Sequence, residues 1–512
     1  MRLSAIAVGA IAVNAPIVAA EARERLDYAA AHAPATMATV GVWDVVADAR
    51  TRAVHAAVLR TGKVLLVEGS GNDQVRFDAK TFTSTLWDPA RDTFTKVPAQ
   101  FDFFCGGHSF LADGRLLIAG GTRAYEALAD ASPDGQKHEF QGLADATVFD
   151  PVTETYTRAG SMAHSRWYPT LVTLPDGKVL AFTGLDEHGV LDDGHTESFD
   201  PQTQTWSERA DLRRQWPTYA AMALMADGRL FYSGANAGFG SLEIGRTSGL
   251  WDLRDNSFTA VPGLADAANT ETAMSVLLPP AQAQKVAIFG GGGVGDSPVS
   301  TARTAVVDLT TASPAWQPGP DLAEAKRYPG AVILPDDTVL VTGGGRDYRG
   351  GDSHTAQIYH PDTDTFTAVA EPRVGRDYHS EAVLLPDGRV ATFGSNPVKN
   401  NRFETRVETY SPAYLFRGPR PVISVASAEV TGGAVDLTSD QPIASVRLIR
   451  PSAVTHQTDT EQRSVAPASV TQLGDSVHIE FPSNRNLMPS GWYMLFASSA
   501  AGVPSIAEWV HV

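Results

Sequence analysis

An apolar strand, a tight turn of Asp-Gly type and a second apolar strand recur along the chain as FLADGRLLIAGG, TLPDGKVLAFTG, LMADGRLFYSG, ILPDDTVLVTGG and LLPDGRVATFG. Each is the mark of a β-hairpin, because Asp-Gly supplies the dihedrals of a two-residue turn between strand-forming runs. The turn aspartates Asp113, Asp176, Asp227, Asp336 and Asp387 are separated by 63, 51, 109 and 51 residues. The 109 is two spacings, which points to a degenerate copy near residue 280, and VLLPPAQAQKVAIFGGGG supplies it. Counting back from Asp113 lands on VLRTGKVLLVEG around Thr61, which makes seven copies.

Each copy is followed by a second strand-turn-strand signature: LWDPARDTFTKV, VFDPVTETYTRA, FDPQTQTW, LWDLRDNSFTA, VVDLTTASPAW and YHPDTDTFTAV. Two hairpins in a unit of about 50 residues predict a kelch-type blade of four strands, and repeated blades close into a β-propeller. The seventh copy stops at VETYSPAYL without its outer strand. ATVGVWDVVADAR, with Trp43 where the other units carry Trp, Phe or Tyr, is expected to complete that blade and lock the ring. The propeller is therefore placed at residues 38–416. RGPRPVIS reads as a linker, and residues 417–512 hold short alternating strands (VRLIR, SVHIEF, WYMLFAS, AEWVHV) that predict a small immunoglobulin-like β-sandwich. No stretch reads as a long amphipathic helix.

Gly 45 and Pro 32 among 512 residues suit a globular chain rich in turns, and the net charge of -17 repels nucleic-acid phosphates and anionic lipid. Residues 1–20, MRLSAIAVGAIAVNAPIVAA, have the positive start, apolar run and small-residue end of a secretory signal, with an ordinary disordered start as the alternative. The expectation is a secreted or cell-envelope protein, membrane-anchored if the segment is not cleaved.

Aligning the copies on the turn aspartate places Cys105, Tyr168, Tyr219, Tyr328 and His379 eight residues before it, each at the same position of its own blade. In a radial repeat such positions lie at one height around the axis, so these side chains ring one mouth of the channel, where ligand pockets form. Cys105 is the only cysteine, so no intramolecular disulfide is open to it; it is either an inert buried thiol or a reactive one with another covalent fate. Tyr378 and His379 are adjacent donors of a kind that suits Cu(II), yet two ligands are too few for a stable site, and channel lining is the bland reading of the aromatic positions.

FCGGHS around Cys105, RWYPT around Tyr168, RDYHS followed by LLPDGRV around Tyr378 and His379, and THQTDTEQR around His456 resemble the four signature segments of the mononuclear copper radical oxidases, galactose oxidase and glyoxal oxidase. The similarity runs from roughly residue 40 to the C-terminus, through GWYMLF and GVPSIAEWV. The resemblance implies an all-β fold, a seven-bladed propeller with a C-terminal early-set sandwich. It implies that Cys105 is joined by a thioether to Tyr168, the radical site and an equatorial copper ligand, that Tyr378 is the axial tyrosine and general base, and that His379 and His456 are the imidazole ligands. His456 follows VRLIR, so a loop of the sandwich would have to reach into the propeller. The activity implied is oxidation of small aldehydes or of primary alcohols, including those of glycans, by O2 with release of hydrogen peroxide.

Two departures bear on substrate. Too few residues precede the first blade to form the extra carbohydrate-binding domain of galactose oxidase, and GLDEHGV stands where that enzyme has a stacking tryptophan. Both tilt the expectation toward glyoxal oxidase. Trp216 is a candidate to cover the thioether instead, with a packed blade-start aromatic as the alternative, and Tyr328 a candidate neighbour of the site. His188, Asp192, Asp193 and His195 read as a solvated loop in preference to a metal cluster, and GGGGVGDS lacks the following helix that phosphate binding needs. The rival reading is a non-enzymatic kelch propeller that binds a glycan or protein through the same mouth.

Overall fold

The computed structural model describes residues 23, 26–127, 137–238, 246–397 and 402–512. The predicted signal or anchor at residues 1–20 lies outside the described residues. Among the described residues seven antiparallel sheets carry the repeat, with four strands from the repeat region in each and a fifth, Thr122–Ala124, attached to the second. The third is representative: Thr170–Thr173, Val179–Phe182, Thr196–Asp200 and Thr205–Glu208 pair in chain order. Its first two strands are buried at every residue, whereas the fourth is open to solvent along one face. Apolar runs therefore mark the inner strands and alternation marks the outer one. The hairpin turns are closed locally, as where Arg115 N–H donates to Asp113 Oδ1 at 3.0 Å and Gly114 takes a φ of 85°. In the one Asp-turn copy without that glycine Asp337 adopts φ 62°, a conformation aspartate tolerates better than most residues. The degenerate copy forms Met274–Leu277 and Lys285–Phe289, and the earliest copy His55–Val58 and Val64–Gly69.

The last blade is built from both ends of the repeat region. Val42–Asp48 runs antiparallel to Arg406–Ser411, with Trp43 opposite Tyr410. The Trp43 indole N–H donates to the Ala370 carbonyl at 2.7 Å, and the ring is 2% exposed. An early strand thus satisfies the edge that the last repeat leaves open.

The C-terminal region folds as two four-stranded antiparallel sheets, one holding Ala434–Ser439 and Ser476–Glu480, the other Ser445–Arg450 and Trp492–Ser498. One apolar cluster runs from Phe231, Val286 and Trp316 of the propeller into Leu448, Leu495 and Val510 of the sandwich. Between Ser445–Arg450 and Arg463–Val465 the chain leaves the sandwich as a hairpin, Ala453–Thr455 and Thr458–Asp459. It adds to the inner edge of the first blade, with Thr455 opposite His55, Val454 opposite Ala56 and Ala453 opposite Ala57. A buried ion pair holds its base: the Arg450 guanidinium meets Glu461, whose other oxygen accepts from Ser109 Oγ, from the Phe110 N–H at 3.0 Å and from Thr173 Oγ1 at 3.1 Å. Burial works to raise the Glu461 pKa, but Arg450 and these hydrogen bonds outweigh it and hold it low. No described helix is long and apolar enough to cross a membrane.

Candidate active site

The residues aligned eight places before the turn share one unusual backbone state. Cys105, Tyr168, Tyr219, Tyr328 and His379 have φ of 62°, 66°, 46°, 58° and 58°, and Thr272, the equivalent of the degenerate copy, has 60°. Left-handed φ at aromatic residues is rare and costs energy that surrounding structure must offset. Hydrogen bonds from blade to blade do so: Tyr168 N–H donates to Cys105 O at 2.9 Å, Tyr219 N–H to Tyr168 O at 3.0 Å, and Tyr328 N–H to Thr272 O at 3.1 Å. The ring at the channel mouth is real, and it makes Cys105 and Tyr168 neighbours. Gly107 permits the approach, since a Cβ there would stand 2.8 Å from the Pro169 carbonyl oxygen.

The left-handed turn also breaks the strand's alternation, so consecutive rings lie face to face. Tyr378 and His379 stack with centroids 3.7 Å apart, and Trp167 and Tyr168 with centroids 3.6 Å apart at 7°. Tyr168 Oη and Tyr378 Oη meet at 2.5 Å. His456, delivered by the sandwich hairpin, lies 4.6 Å from both the Tyr168 and His379 rings, and its Nε2 is 3.9 Å from Cys105 Sγ. Thr455 Oγ1 donates to the Val54 carbonyl at 3.0 Å and accepts from His456 Nδ1 at 2.6 Å, which leaves the Nε2 lone pair facing the cluster. Cys105, Tyr168, His379 and His456 are buried, and Tyr378 is half-buried at the cavity floor.

Burial pushes the His456 imidazole down to about 3, and burial with His456 beside it pushes His379 well below the usual histidine range. Both are neutral near pH 7 and hold free lone pairs. Burial, reinforced by the neighbouring Cys105, raises Tyr168 and Tyr378, and burial raises Cys105 itself. These phenols stay protonated unless a cation stands beside them. Neither ring nitrogen of His379 makes a hydrogen bond of normal geometry. Ligand atoms of Cys105, His379 and His456 lie within 4.8 Å of one another. Two neutral imidazoles with unspent lone pairs and two facing phenols form an N2O2 set of the kind copper(II) favours, so the residues present fit that ion.

The site floors a cavity of about 480 Å³ lined by Phe104, Phe140, Trp167, Tyr328, Tyr348 and Arg349 among others. The Arg349 guanidinium lies 4.7 Å over the Tyr378 ring and donates to the Asn396 carbonyl at 2.9 Å. Tyr328 lies beside Tyr378 at 5.5 Å, as expected of a neighbour of the site. Trp216 corrects the expectation made for it. Three residues ahead of its blade-start Tyr219, it packs between blades against Tyr232, Trp251 and Phe258, and Tyr168 is covered by Trp167. The signal was in RWYPT, but strand alternation sends adjacent side chains to opposite faces and so hid it. Asp192 and Asp193 meet His195 Nδ1 at 3.2 and 2.9 Å and are also paired with Arg166 and Arg213, while His188 stands apart and exposed.

Residues 70–414 match the family described as glyoxal oxidase N-terminus, and residues 420–512 the galactose oxidase-like early set domain. A galactose oxidase of Gibberella zeae is 26% identical over 92% of this chain and 71% of its own length. An aldehyde oxidase, GLOX, of Vitis pseudoreticulata is 26% identical over 92% of this chain and 97% of its own. A solved fungal alcohol oxidase of the AA5 family, in complex with copper, superposes with a TM-score of 0.77 at 24% identity, over 93% of this chain and 100% of that one, a likeness of fold. With the family match spanning 70–414 and the early-set domain completing it, the chain belongs to the glyoxal oxidase family of copper radical oxidases.

Proposed function

We propose that this protein is a copper-dependent oxidase of small aldehydes or of primary alcohols, including those of glycans, that reduces O2 to hydrogen peroxide. The observation that carries the reading is the convergence of two phenols, two neutral imidazoles and one thiol at the floor of an aromatic cavity. Tyr168, Tyr378, His379 and His456 would hold the metal. A bound copper ion supplies Lewis acidity toward the substrate oxygen and accepts one of the two electrons removed.

The chain's own residues do the rest. Tyr378 accepts the substrate hydroxyl proton at its phenolic oxygen. Tyr168, joined to Cys105 by a thioether, acts as the radical that takes a hydrogen atom from the substrate carbon; the sulfur lends electron density and makes that radical easier to form. Trp167 covers the Tyr168 face and excludes water from it. Arg349, held by Asn396 at the cavity wall, orients the substrate oxygen functions. A cavity of about 480 Å³ admits a small aldehyde or the primary alcohol end of a sugar. The galactose and aldehyde oxidases among the relatives support this substrate range, and a secreted or envelope location is proposed with it.

Intact mass spectrometry after copper loading under oxygen tests the reading. Thioether formation removes two hydrogens and abolishes the titratable thiol, and Cys105→Ser shows no such loss. A thiol still free in the loaded wild type overturns the oxidase reading in favour of a binding propeller. A peroxide-coupled screen on glyoxals, glycolaldehyde, galactosides and glycerol then identifies the substrate.

A further inference from the structure

A second set of donors joins the second and third blades, and none of its members lines the cavity. His164 lies near the end of Thr155–Arg166, His195 directly precedes Thr196–Asp200, and Glu208 ends Thr205–Glu208. A ring nitrogen of each histidine and a Glu208 oxygen lie within 4.8 Å of one another. The two rings stack with centroids 3.6 Å apart at 18°, and His164 Nε2 stands 4.0 Å from Glu208 Oε1. Both histidines are half-buried and Glu208 is exposed, so the set is open to solvent.

The surroundings orient this set and give it charge. Asp192 and Asp193 meet His195 Nδ1 at 3.2 and 2.9 Å, so that N–H donates to a carboxylate and the Nε2 lone pair is left for a ligand. A carboxylate orients a metal-ligating histidine in this way. Asp192 is itself fixed: it is buried, accepts the Gly194 N–H at 2.8 Å and faces the buried Arg166 at 3.6 Å. Glu197 accepts the N–H groups of Ala163 at 2.6 Å and His164 at 3.4 Å and pairs with Arg166 at 3.0 Å. Asp192, Asp193, Glu197 and Glu208 thus share two guanidiniums, Arg166 and Arg213, and two negative charges are unmatched beside neutral imidazoles. Rings that face each other cannot both aim at one ion, so binding has to splay them. The His164 ring is the one that swings, because no hydrogen bond among the described residues ties it.

We propose that His164, His195 and Glu208 form a site for a divalent transition-metal cation such as zinc, separate from the copper cluster, that staples the second blade to the third. Two imidazoles and a carboxylate suit such an ion, with water completing its shell, and its charge matches the two unmatched carboxylates. The sequence pattern brought together only the loop residues His188, Asp192, Asp193 and His195. In the fold His164 and Glu208 join His195 from two strands, and Asp192 backs a ligand without being one. The ion also anchors the loop that ends at His195. Leu185 and Leu191 of that loop pack with Trp167 and Phe140, and Leu185 exchanges backbone hydrogen bonds with Trp167 at 2.7 and 2.8 Å. The staple therefore lies behind one wall of the cavity.

The test is calorimetric titration of zinc chloride into the copper-loaded protein at neutral pH, after a weak chelator has removed loosely held metal. The wild type is expected to take up one zinc per chain with no loss of copper, and zinc is expected to raise its thermal unfolding midpoint. His164→Gln and His195→Gln are each expected to weaken zinc binding about tenfold or more and to abolish the rise in midpoint; Asp192→Asn weakens it within a similar range. Because Asp192→Asn also takes a partner from buried Arg166, His164→Gln, at a half-buried strand position, keeps the test decisive. Calcium, which prefers oxygen ligands alone, is expected to bind at least about tenfold more weakly than zinc. No zinc uptake by the wild type, uptake that survives both histidine variants, uptake matched by release of copper, or equal binding of calcium overturns the proposal. A chain that takes up no copper overturns the oxidase reading, and the zinc titration still decides this site.

Discussion

Cys105 shows how much one backbone dihedral decides. Its φ of 62°, shared by Tyr168 at 66° and His379 at 58°, turns the first residue of these three blades toward the axis. Strain of about 1–3 kcal/mol at such a residue is offset at Cys105 and Tyr168 by the blade-to-blade hydrogen bonds. Tyr378→Phe removes the proposed base and keeps the ring; peroxide formation is expected to fall about 10²–10⁴-fold with an unchanged circular dichroism spectrum. Below the cluster, His108 is buried with neither ring nitrogen hydrogen-bonded, and burial pushes it down to about 4. Its folded pKa lies below the unfolded 6.5, so its contribution to stability is present above pH 6.5 and is lost as pH falls toward 4. In denaturant titrations of the metal-free protein, His108→Gln is expected to lose about 2 kcal/mol less than wild type between pH 7 and pH 5. Equal losses would show that His108 is not desolvated as placed.

Among the elements, the strand Val42–Asp48 closes the ring. It is local to nothing in sequence; it pairs with Arg406–Ser411 and buries Trp43 against Tyr410 at 4.9 Å. Trp43→Ala removes that packing and leaves the Ala370 carbonyl without its indole donor. The expected cost is about 3–5 kcal/mol in chemical denaturation. A loss within the range of a surface substitution would mean that the last blade is stable without its early strand. The hairpin of Ala453–Thr455 and Thr458–Asp459 is the second such element. It belongs to the sandwich by sequence and to the first blade by hydrogen bonding, which is how a residue of one domain comes to face the axis of the other.

At the scale of the whole molecule, propeller and sandwich are joined through the buried Arg450–Glu461 pair. Arg450 belongs to the sandwich, and Glu461 accepts from Ser109, Phe110 and Thr173 on two blades. Arg450→Ala strands a buried carboxylate, with an expected cost of about 3–5 kcal/mol. Because the pair lies at the base of the His456 hairpin, the same variant is expected to bind less copper per chain at a fixed free-metal concentration. Destabilisation with unchanged copper content would separate the fold's keystone from the metal site. His456→Ala addresses the site from the other side, and undiminished copper content in that variant would remove His456 from the ligand set.

The spacing of Asp113, Asp176, Asp227, Asp336 and Asp387 determined seven blades, because a turn that needs Asp-Gly dihedrals and a strand that needs apolar residues leave a periodic mark whatever surrounds them. The same register placed Cys105, Tyr168 and His379 at one height, since equivalent positions in a closed repeat face the same axis. What the sequence could not decide was which of those side chains touch. Trp167, and not Trp216, covers Tyr168 because a left-handed residue overrides strand alternation, a conformation that aromatic residues do not announce. His456 reaches the axis only because a sandwich hairpin pairs with His55, about 400 residues earlier in the chain. Tertiary structure decided these contacts because they depend on how separate elements close on one another, and local sequence encodes the elements but not their meeting.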